Sequence, residues 1–417
     1  MSALAMILHK RNHNVTGSDI CLNAQTAELQ LAGIRVFSGH KRRNLKHLPT
    51  QAKVIINGAI DDKNPELKEA IRRNLQIVDR AQLLAEIASG YKHVIAVAGT
   101  HGKSTTTAMI GAIFREAGLN PTIHNGAVAN PHCGALQSSN NLSLALGEGE
   151  FFITEACEFR RSFLSLRPTV AVITNTNPDH MDCYNDFEDL KNTFAQFANQ
   201  SGKVFYSNQL KPTEIVEYAR AKYQFTFDGV QISLSTYGLH NVLNASSAVA
   251  VALHFGIDGD IIKTALENFS GIQRRFELLT KTDNLEVISD YAHHPAEIAT
   301  TIKTAASLYK SFLIIFQPHT YTRTKSLFDE FVETLTPVDV IFFKTYSARE
   351  NIMLGARAKD IAHAASKPYF STKRALTRFI EQYVEYRKKI KQPLSAIIFT
   401  GAGDIDNLAR NFCQKLG

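Results

Sequence analysis

The sequence predicts an α/β protein built from three successive α/β units, and three observations carry that prediction. Short apolar runs of strand length, at residues 94–98, 151–154, 170–174, 312–316, 338–343 and 396–400, alternate with stretches of helical periodicity. Polar residues with ligand chemistry follow several of these runs directly, which puts them at the carboxyl ends of strands, where open α/β sheets bind ligands. The chain has 417 residues, 44% hydrophobic and 20% charged, an ordinary soluble composition with length for two or three domains at about 150 residues each.

Residues 1–90 alternate helix and strand. A helix is expected over 2–10 and a strand ending at Val15, followed by Gly17, Ser18 and Asp19; further on come a strand over 53–57 and a helix over 65–73. An acidic residue just after a strand is the usual means of holding a ribose or base hydroxyl in a dinucleotide-type fold, and Asp19 stands at such a place. A plain turn residue is the other reading of Asp19. The strand and glycine-rich turn that open such a fold would lie ahead of Met1.

Residues 91–270 open on VIAVAGTHGKSTTT, a buried strand feeding a loop with Gly99, Gly102, Lys103 and Ser104. Glycines let backbone N–H groups turn onto phosphate oxygens, the following helix adds its positive end, Lys103 adds a point charge, and Ser104 can reach Mg²⁺. The general phosphate-loop pattern would want Gly at position 97, where Val97 stands. Glu155 follows the next apolar run, and Asn175, Asp179, His180 and Asp182 follow the one after. A carboxylate and an imidazole from neighbouring strand ends could share metal ions with Ser104 and nucleotide phosphates; a loop histidine is the other reading of His180. Cys157 has no base paired with it by any motif and reads as a packed or semi-exposed thiol. His240 and Asn241 start an alanine-rich helix running to Val251, as ligands or as caps.

From Gly271 the pattern resets. Strands are expected at 285–288, 312–316, 338–343 and 396–400, with helices near 295–309, 327–335, 359–364, 373–386 and 405–413. Polar clusters again cap strands: Asp290 to Pro295, Gln317-Pro318-His319 with Arg323, Ser347 to Glu350, and Gly401 to Asp404.

The bulk charge, 46 basic against 39 acidic residues for a net +7, suits an anionic nucleotide substrate. The basic runs Lys41-Arg42-Arg43 and Arg387-Lys388-Lys389 lack interleaved aromatics, so solvated surface is expected there and not nucleic-acid contact. Cys21, Cys133, Cys157, Cys183 and Cys413 are scattered without a C-x-x-C pair, which argues for a reducing cytoplasm. No apolar run approaches the roughly 18 residues of a membrane span, and MSALAMIL lacks the preceding basic residues of a secretory signal.

With these residues assembled, the chain resembles the Mur ligases over essentially its full length. The resemblance rests on GTHGKSTTT, EACEFRRSFL, NPDHMDCY, HNVLNA, RRFE, SDYAHHP, FQPHTYTR and TGAGDI, and the DYAHHP and QPH-x-Y-[ST]-R patterns point to the alanine-adding member. It implies a Rossmann-like domain at 1–90 for a UDP-sugar, a central P-loop ATPase-like domain at 91–270, and a Rossmann-like amino-acid domain at 271–417. It implies that Gly99, Thr100, His101, Gly102, Lys103, Ser104 and Thr105 hold ATP phosphates, that Ser104, Glu155 and His180 carry Mg²⁺, and that His240, Asn241, Arg275 and Asp290 complete the ATP site. Gly17, Ser18, Asp19 and His40 would meet the UDP part, and His293, His319 and Arg323 the incoming amino acid. The implied reaction phosphorylates the lactyl carboxylate of UDP-N-acetylmuramate and lets the amine of L-alanine attack the acyl phosphate, with Lys103, His180, His293 and Arg323 as catalytic residues. Two other readings stay open: a recycling ligase that attaches a tripeptide to the same sugar nucleotide, and a non-catalytic nucleotide-binding paralogue. The segment 204–236 is shorter than the family's, and Thr320 stands where many relatives place Arg.

Overall fold

A computed structural model describes residues 1–128, 143–178, 181–348, 350–352 and 355–416, with the backbone alone for Asp182. Two units emerge: one of residues 1–215, 224–235 and 240–270, the other of 216–223, 236–239 and 271–417.

The first unit is organised around the strand His93–Ala98, which is buried from Val94 onward, as an unbroken apolar run requires of a strand covered on both faces. It lies within a six-stranded sheet in the order Lys203–Tyr206, Val170–Ile173, His93–Ala98, Phe151–Glu155, Thr122–His124 and Leu144–Ala145. The pairings are parallel except the last, where Leu144–Ala145 runs antiparallel. The helix Lys103–Glu116 packs on this sheet and against the helix His240–His254, both nearly all small or apolar where they meet.

The N-terminal part of this unit carries two parallel strand pairs, Thr16–Asp19 with Arg35–Ser38 and Lys53–Ile56 with Gln76–Asp79. The helix Ser2–Lys10 forms where the sequence places it. The strand expected to end at Val15 is displaced: Thr16–Asp19 is the strand, so Gly17, Ser18 and Asp19 are paired residues and not a turn. Backbone pairing to residues 35–38 overrides the poor strand preference of Gly and Asp. The helix Pro65–Arg72 begins where Asn64 accepts from Glu66 N and Leu67 N, with Pro65 in the first position, where its missing N–H is no loss.

The second unit is a six-stranded sheet in the order Glu277–Lys281, Glu286–Asp290, Ala396–Thr400, Phe312–Phe316, Val340–Phe343 and Tyr369–Phe370. All pairings are parallel except the first. Asp290 is the last residue of its strand, where the sequence suggested that the strand stops at 288. Helices Pro295–Leu308, Lys373–Lys389 and Ile405–Cys413 follow their expected starts.

Candidate functional site

The loop between His93–Ala98 and Lys103–Glu116 has the backbone that its glycines permit. Gly99 has φ 130° and Gly102 φ 83°, a region costly for residues with a Cβ. A Cβ on Gly99 would lie 2.0 Å from Thr174 Oγ1, so the loop presses against the strand end beside it. Thr100 N donates to Asn175 O (3.2 Å) and Thr100 Oγ1 to Asn177 O (2.8 Å). His101 N donates to Asn175 Oδ1 (3.1 Å), while His101 O accepts from Thr174 Oγ1 (2.6 Å) and Asn175 Nδ2 (2.9 Å). Residues 174–177 thus clamp the loop from one side.

Lys103 lies across its own loop. Its Nζ donates to Gly99 O (2.5 Å) and Thr100 O (3.2 Å), and meets both carboxylate oxygens of Glu158 at 3.2 and 3.0 Å. Glu158 is 1% exposed and the lysine side chain 15%. Burial pulls the Lys103 ammonium down, but the charges of Glu158, Cys157 and Glu155 outweigh it and hold the group above its ordinary value. Sequence reasoning missed Glu158; its signal was a second carboxylate three residues beyond Glu155. Cys157, between them, is exposed.

Ser104 is buried, and its carbonyl accepts from Asn125 Nδ2 (3.1 Å). Glu155 Oε1 accepts from the backbone N of Gly126 (2.7 Å). The segment 125–126 therefore ties the start of the loop helix to the strand end that carries Glu155. From the other side, Asn244 brings Oδ1 to Thr106 Oγ1 (3.3 Å) and donates through Nδ2 to Asn241 Oδ1 (2.9 Å). Asn241 is thus brought to the loop helix, with Asn244, which the sequence did not single out, three residues on along the same helical face. His240 is the exposed first residue of that helix. His180 and Asp179 lie outside the described residues. Among the described residues, no three His, Cys, Asp or Glu side chains gather as a metal site.

Of the N-terminal candidates, Ser18 and His40 come together: Ser18 Oγ lies 2.9 Å from His40 Nδ1 and donates to Glu66 Oε2 (2.6 Å). Glu66 also accepts from Asn44 Nδ2 (2.6 Å) and Lys41 N (3.3 Å), making it the hub of a cluster that the sequence did not reveal. Asp19 instead accepts from Cys21 N (3.0 Å), a local turn contact.

In the second unit, His293 and His319 meet with ring centroids 5.9 Å apart, and His319 stacks on Tyr346 at 5.6 Å. His293 Nδ1 lies 3.0 Å from Tyr291 O and 3.2 Å from Glu297 Oε2. Arg275 reaches Glu297 Oε1 at 3.5 Å and stands over the Tyr291 ring. Asp290 is buried and its oxygens accept from Ala292 N (2.7 Å) and Phe276 N (3.0 Å). Burial pushes its carboxyl up to about 6, against the opposing pull of Arg275 and those two N–H groups. Arg323 sits on the helix Tyr321–Ser326, whose first turn is capped from a distance: Glu350 accepts from Tyr321 N (2.6 Å), Thr322 N (3.0 Å) and Thr322 Oγ1 (2.5 Å). Gln317 serves structure, donating to Asp404 Oδ1 (2.9 Å) and accepting from Ile405 N (3.0 Å).

A glycine-rich loop between a buried central strand and a helix, followed along the chain by a separate α/β unit with its own histidine cluster, defines the class. Residues 1–92 match the Mur ligase family catalytic domain, 97–222 the Mur ligase middle domain and 274–403 the Mur ligase glutamate ligase domain, and the chain belongs to the Mur ligase family. Within that family it is 36% identical to the UDP-N-acetylmuramate–L-alanine ligase of Caldicellulosiruptor saccharolyticus, over 100% of this chain and 96% of the relative. It is 36% identical to the enzyme of the same name from Aquifex aeolicus, over 100% of this chain and 95% of that one. The crystal structure of UDP-N-acetylmuramate–alanine ligase from Thermotoga maritima superposes with a TM-score of 0.81 at 25% identity, covering 100% of this chain and 96% of that one.

Proposed function

We infer that this chain is an ATP-dependent ligase that joins L-alanine to the lactyl carboxylate of UDP-N-acetylmuramate through an acyl phosphate, a step of peptidoglycan precursor synthesis. The supporting observation is the loop from Gly99 to Lys103, with its two positive-φ glycines and half-buried lysine, in a chain 36% identical over its length to ligases of that name. We assign residues 1–90 to the sugar nucleotide, 91–270 to ATP and 271–417 to the amino acid.

Residues 99–105 are assigned to the phosphates of ATP, which take the charge of Lys103 and the N–H groups at the start of the helix, residues 102–105, while Thr100 N and His101 N hold the loop's shape through Asn175. His240, Asn241, Arg275 and Asp290 are assigned to the rest of ATP. The hydroxyl of Ser104 and the carboxylate of Glu155 are hard oxygen donors of the kind Mg²⁺ prefers, so the chemistry of this donor pair fits the ion. His180 is assigned with them. Mg²⁺ there supplies charge neutralisation for phosphoryl transfer. A carboxylate is a poor electrophile, and activation as an acyl phosphate divides one hard step into two accessible ones.

On the amino-acid side, Arg323 pairs with the alanine carboxylate in the two-pronged manner a guanidinium allows. His293 keeps its hydrogen on Nδ1, because that nitrogen faces Tyr291 O and Glu297. Nε2 is then the nitrogen able to take a proton from the alanine ammonium and so free the amine that attacks, while His319 flanks it. Gly17, Ser18, Asp19 and His40 are assigned to the UDP moiety, with Glu66 orienting Ser18 and His40. No helix among the described residues is long and apolar enough to cross a membrane; the scattered cysteines, without a C-x-x-C pair, support our placing the reaction in a reducing cytoplasm.

The test is ADP release by the purified chain with ATP, Mg²⁺ and UDP-N-acetylmuramate, with L-alanine or with the tripeptide L-Ala-γ-D-Glu-meso-diaminopimelate in parallel. Turnover dependent on L-alanine is expected. Turnover with the tripeptide alone would assign the recycling reaction, and none with either would favour a non-catalytic nucleotide-binding protein.

A further inference from the structure

An ammonium group has three hydrogens to donate, and in this structure Lys103 directs them at three acceptors: Gly99 O, Thr100 O and the Glu158 carboxylate. A phosphate oxygen can reach Nζ only by taking the place of one of them. The two carbonyls belong to a loop pinned through Thr100 to Asn175 and Asn177, with no room behind Gly99. Glu158 is different. Its backbone is fixed, since its carbonyl accepts from Tyr184 Oη (2.5 Å) and Arg161 N (2.8 Å), but its side chain turns about ordinary single bonds.

The segment that follows shows how firmly that backbone is held. Arg160 and Arg161 have φ of 50° and 55°, consecutive left-handed residues that carry a Cβ, a conformation kept only where surroundings impose it. The imposing contacts are a two-pronged pair of Arg161 Nη2 with Asp189 (2.9 and 2.7 Å) and the Arg161 guanidinium 5.3 Å above the Tyr184 ring. The carboxylate of Glu158 is thus delivered to Lys103 by a braced turn, and it bears the same sign of charge as the phosphate that Lys103 is built to receive.

We propose that Glu158 is a built-in competitor for the phosphate position on Lys103: nucleotide engages the ammonium only as this carboxylate swings away, so Glu158 sets the affinity and selectivity of the loop for polyphosphate. The proposal rests on the reading of the loop as a nucleotide site.

The experiment is calorimetric titration of the full chain with ADP in EDTA, for wild type, Glu158→Gln, Lys103→Ala and the double variant. Glu158→Gln is expected to bind ADP about tenfold more tightly than wild type, the scale of one charged contact no longer opposed. In the Lys103→Ala background the same change is expected to shift affinity by less than about twofold, because the competition acts through the ammonium. Equal or weaker binding by Glu158→Gln overturns the proposal, as does a gain that persists without Lys103. Should Glu158→Gln fail to fold, Glu158→Asp draws the carboxylate back from Nζ and is expected to tighten ADP binding severalfold; no gain there overturns the proposal too. If none of the chains, wild type included, binds ADP or ATP–Mg²⁺, the nucleotide reading itself falls, and the proposal with it.

Discussion

Gly102 and Asn244 approach so closely that a Cβ on the glycine would lie 2.6 Å from the amide oxygen Oδ1 of the asparagine. The contact locks the entrance of the loop helix Lys103–Glu116 to the helix His240–His254, and only glycine satisfies both the spacing and the φ of 83°. Gly102→Ala is expected to cost about 1–2 kcal/mol from backbone conformation alone, and more from the clash. Urea titration with an unchanged midpoint would show that the loop relaxes freely.

The Lys103–Glu158 pair predicts an asymmetry between single and double variants. Lys103→Met leaves a carboxylate that is 1% exposed without its cation, a change of about 3–5 kcal/mol in comparable buried pairs. Adding Glu158→Gln removes the stranded charge and is expected to recover most of that loss, while ADP formation stays abolished in both. Chemical denaturation of the two proteins checks this, and a double variant as unstable as Lys103→Met would refute it.

Asp290 predicts a pH dependence. Its folded-state carboxyl lies at about 6, above the ordinary value of 3.8, so between those values the folded chain holds a proton that the unfolded chain has released. Its contribution to stability is therefore fully present at low pH and is lost as pH rises through about 6, by roughly 3 kcal/mol for two units. Subtracting the stability profile of Asp290→Asn from that of wild type between pH 4 and 7 isolates this slope. A flat difference would contradict it.

Glu350 holds the first turn of the helix that carries Arg323. Glu350→Ala is expected to remove a cap worth about 1 kcal/mol and to raise KM for L-alanine severalfold while leaving KM for ATP nearly unchanged. Equal effects on both constants would mean that the contact supports the unit in general and not the amino-acid site.

Glu155→Gln and His180→Ala are each expected to raise the Mg²⁺ concentration needed for half-maximal ATP turnover by tenfold or more, as ligand losses do, or to abolish turnover. An unaltered Mg²⁺ dependence in both variants would remove them from the metal site.

What the sequence disclosed and what it withheld follow from how each feature is encoded. The strands Phe312–Phe316 and Ala396–Thr400 were legible because burial on both faces demands an unbroken apolar run. Arg35–Ser38 and Gln76–Asp79 were not, since their partly exposed residues mix charge with apolar side chains and leave no period to detect. Thr16–Asp19 looked like a turn because Gly and Asp disfavour strands, and only the distant pairing partner decides otherwise. At the site, Lys103 and Ser104 announced themselves through contiguous spacing, and His293 and His319 through their strand ends. Glu158, Glu66 and Glu350 act on partners 55, 48 and 29 residues away in sequence, and a carboxylate in isolation carries no sign of which cation or amide it will meet.

The strand that feeds the phosphate loop has a consequence for timing. Ile95, Ala96, Val97 and Ala98 show no exposed surface, so their amide hydrogens are expected to be strongly protected from exchange with solvent deuterium. A loop anchored to so deeply buried a strand is already ordered when a ligand diffuses in, and little of the association free energy goes to organising its backbone. Affinity at this loop is then governed by how quickly a bound nucleotide leaves, so variants that loosen the strand should first reveal themselves as shortened residence times.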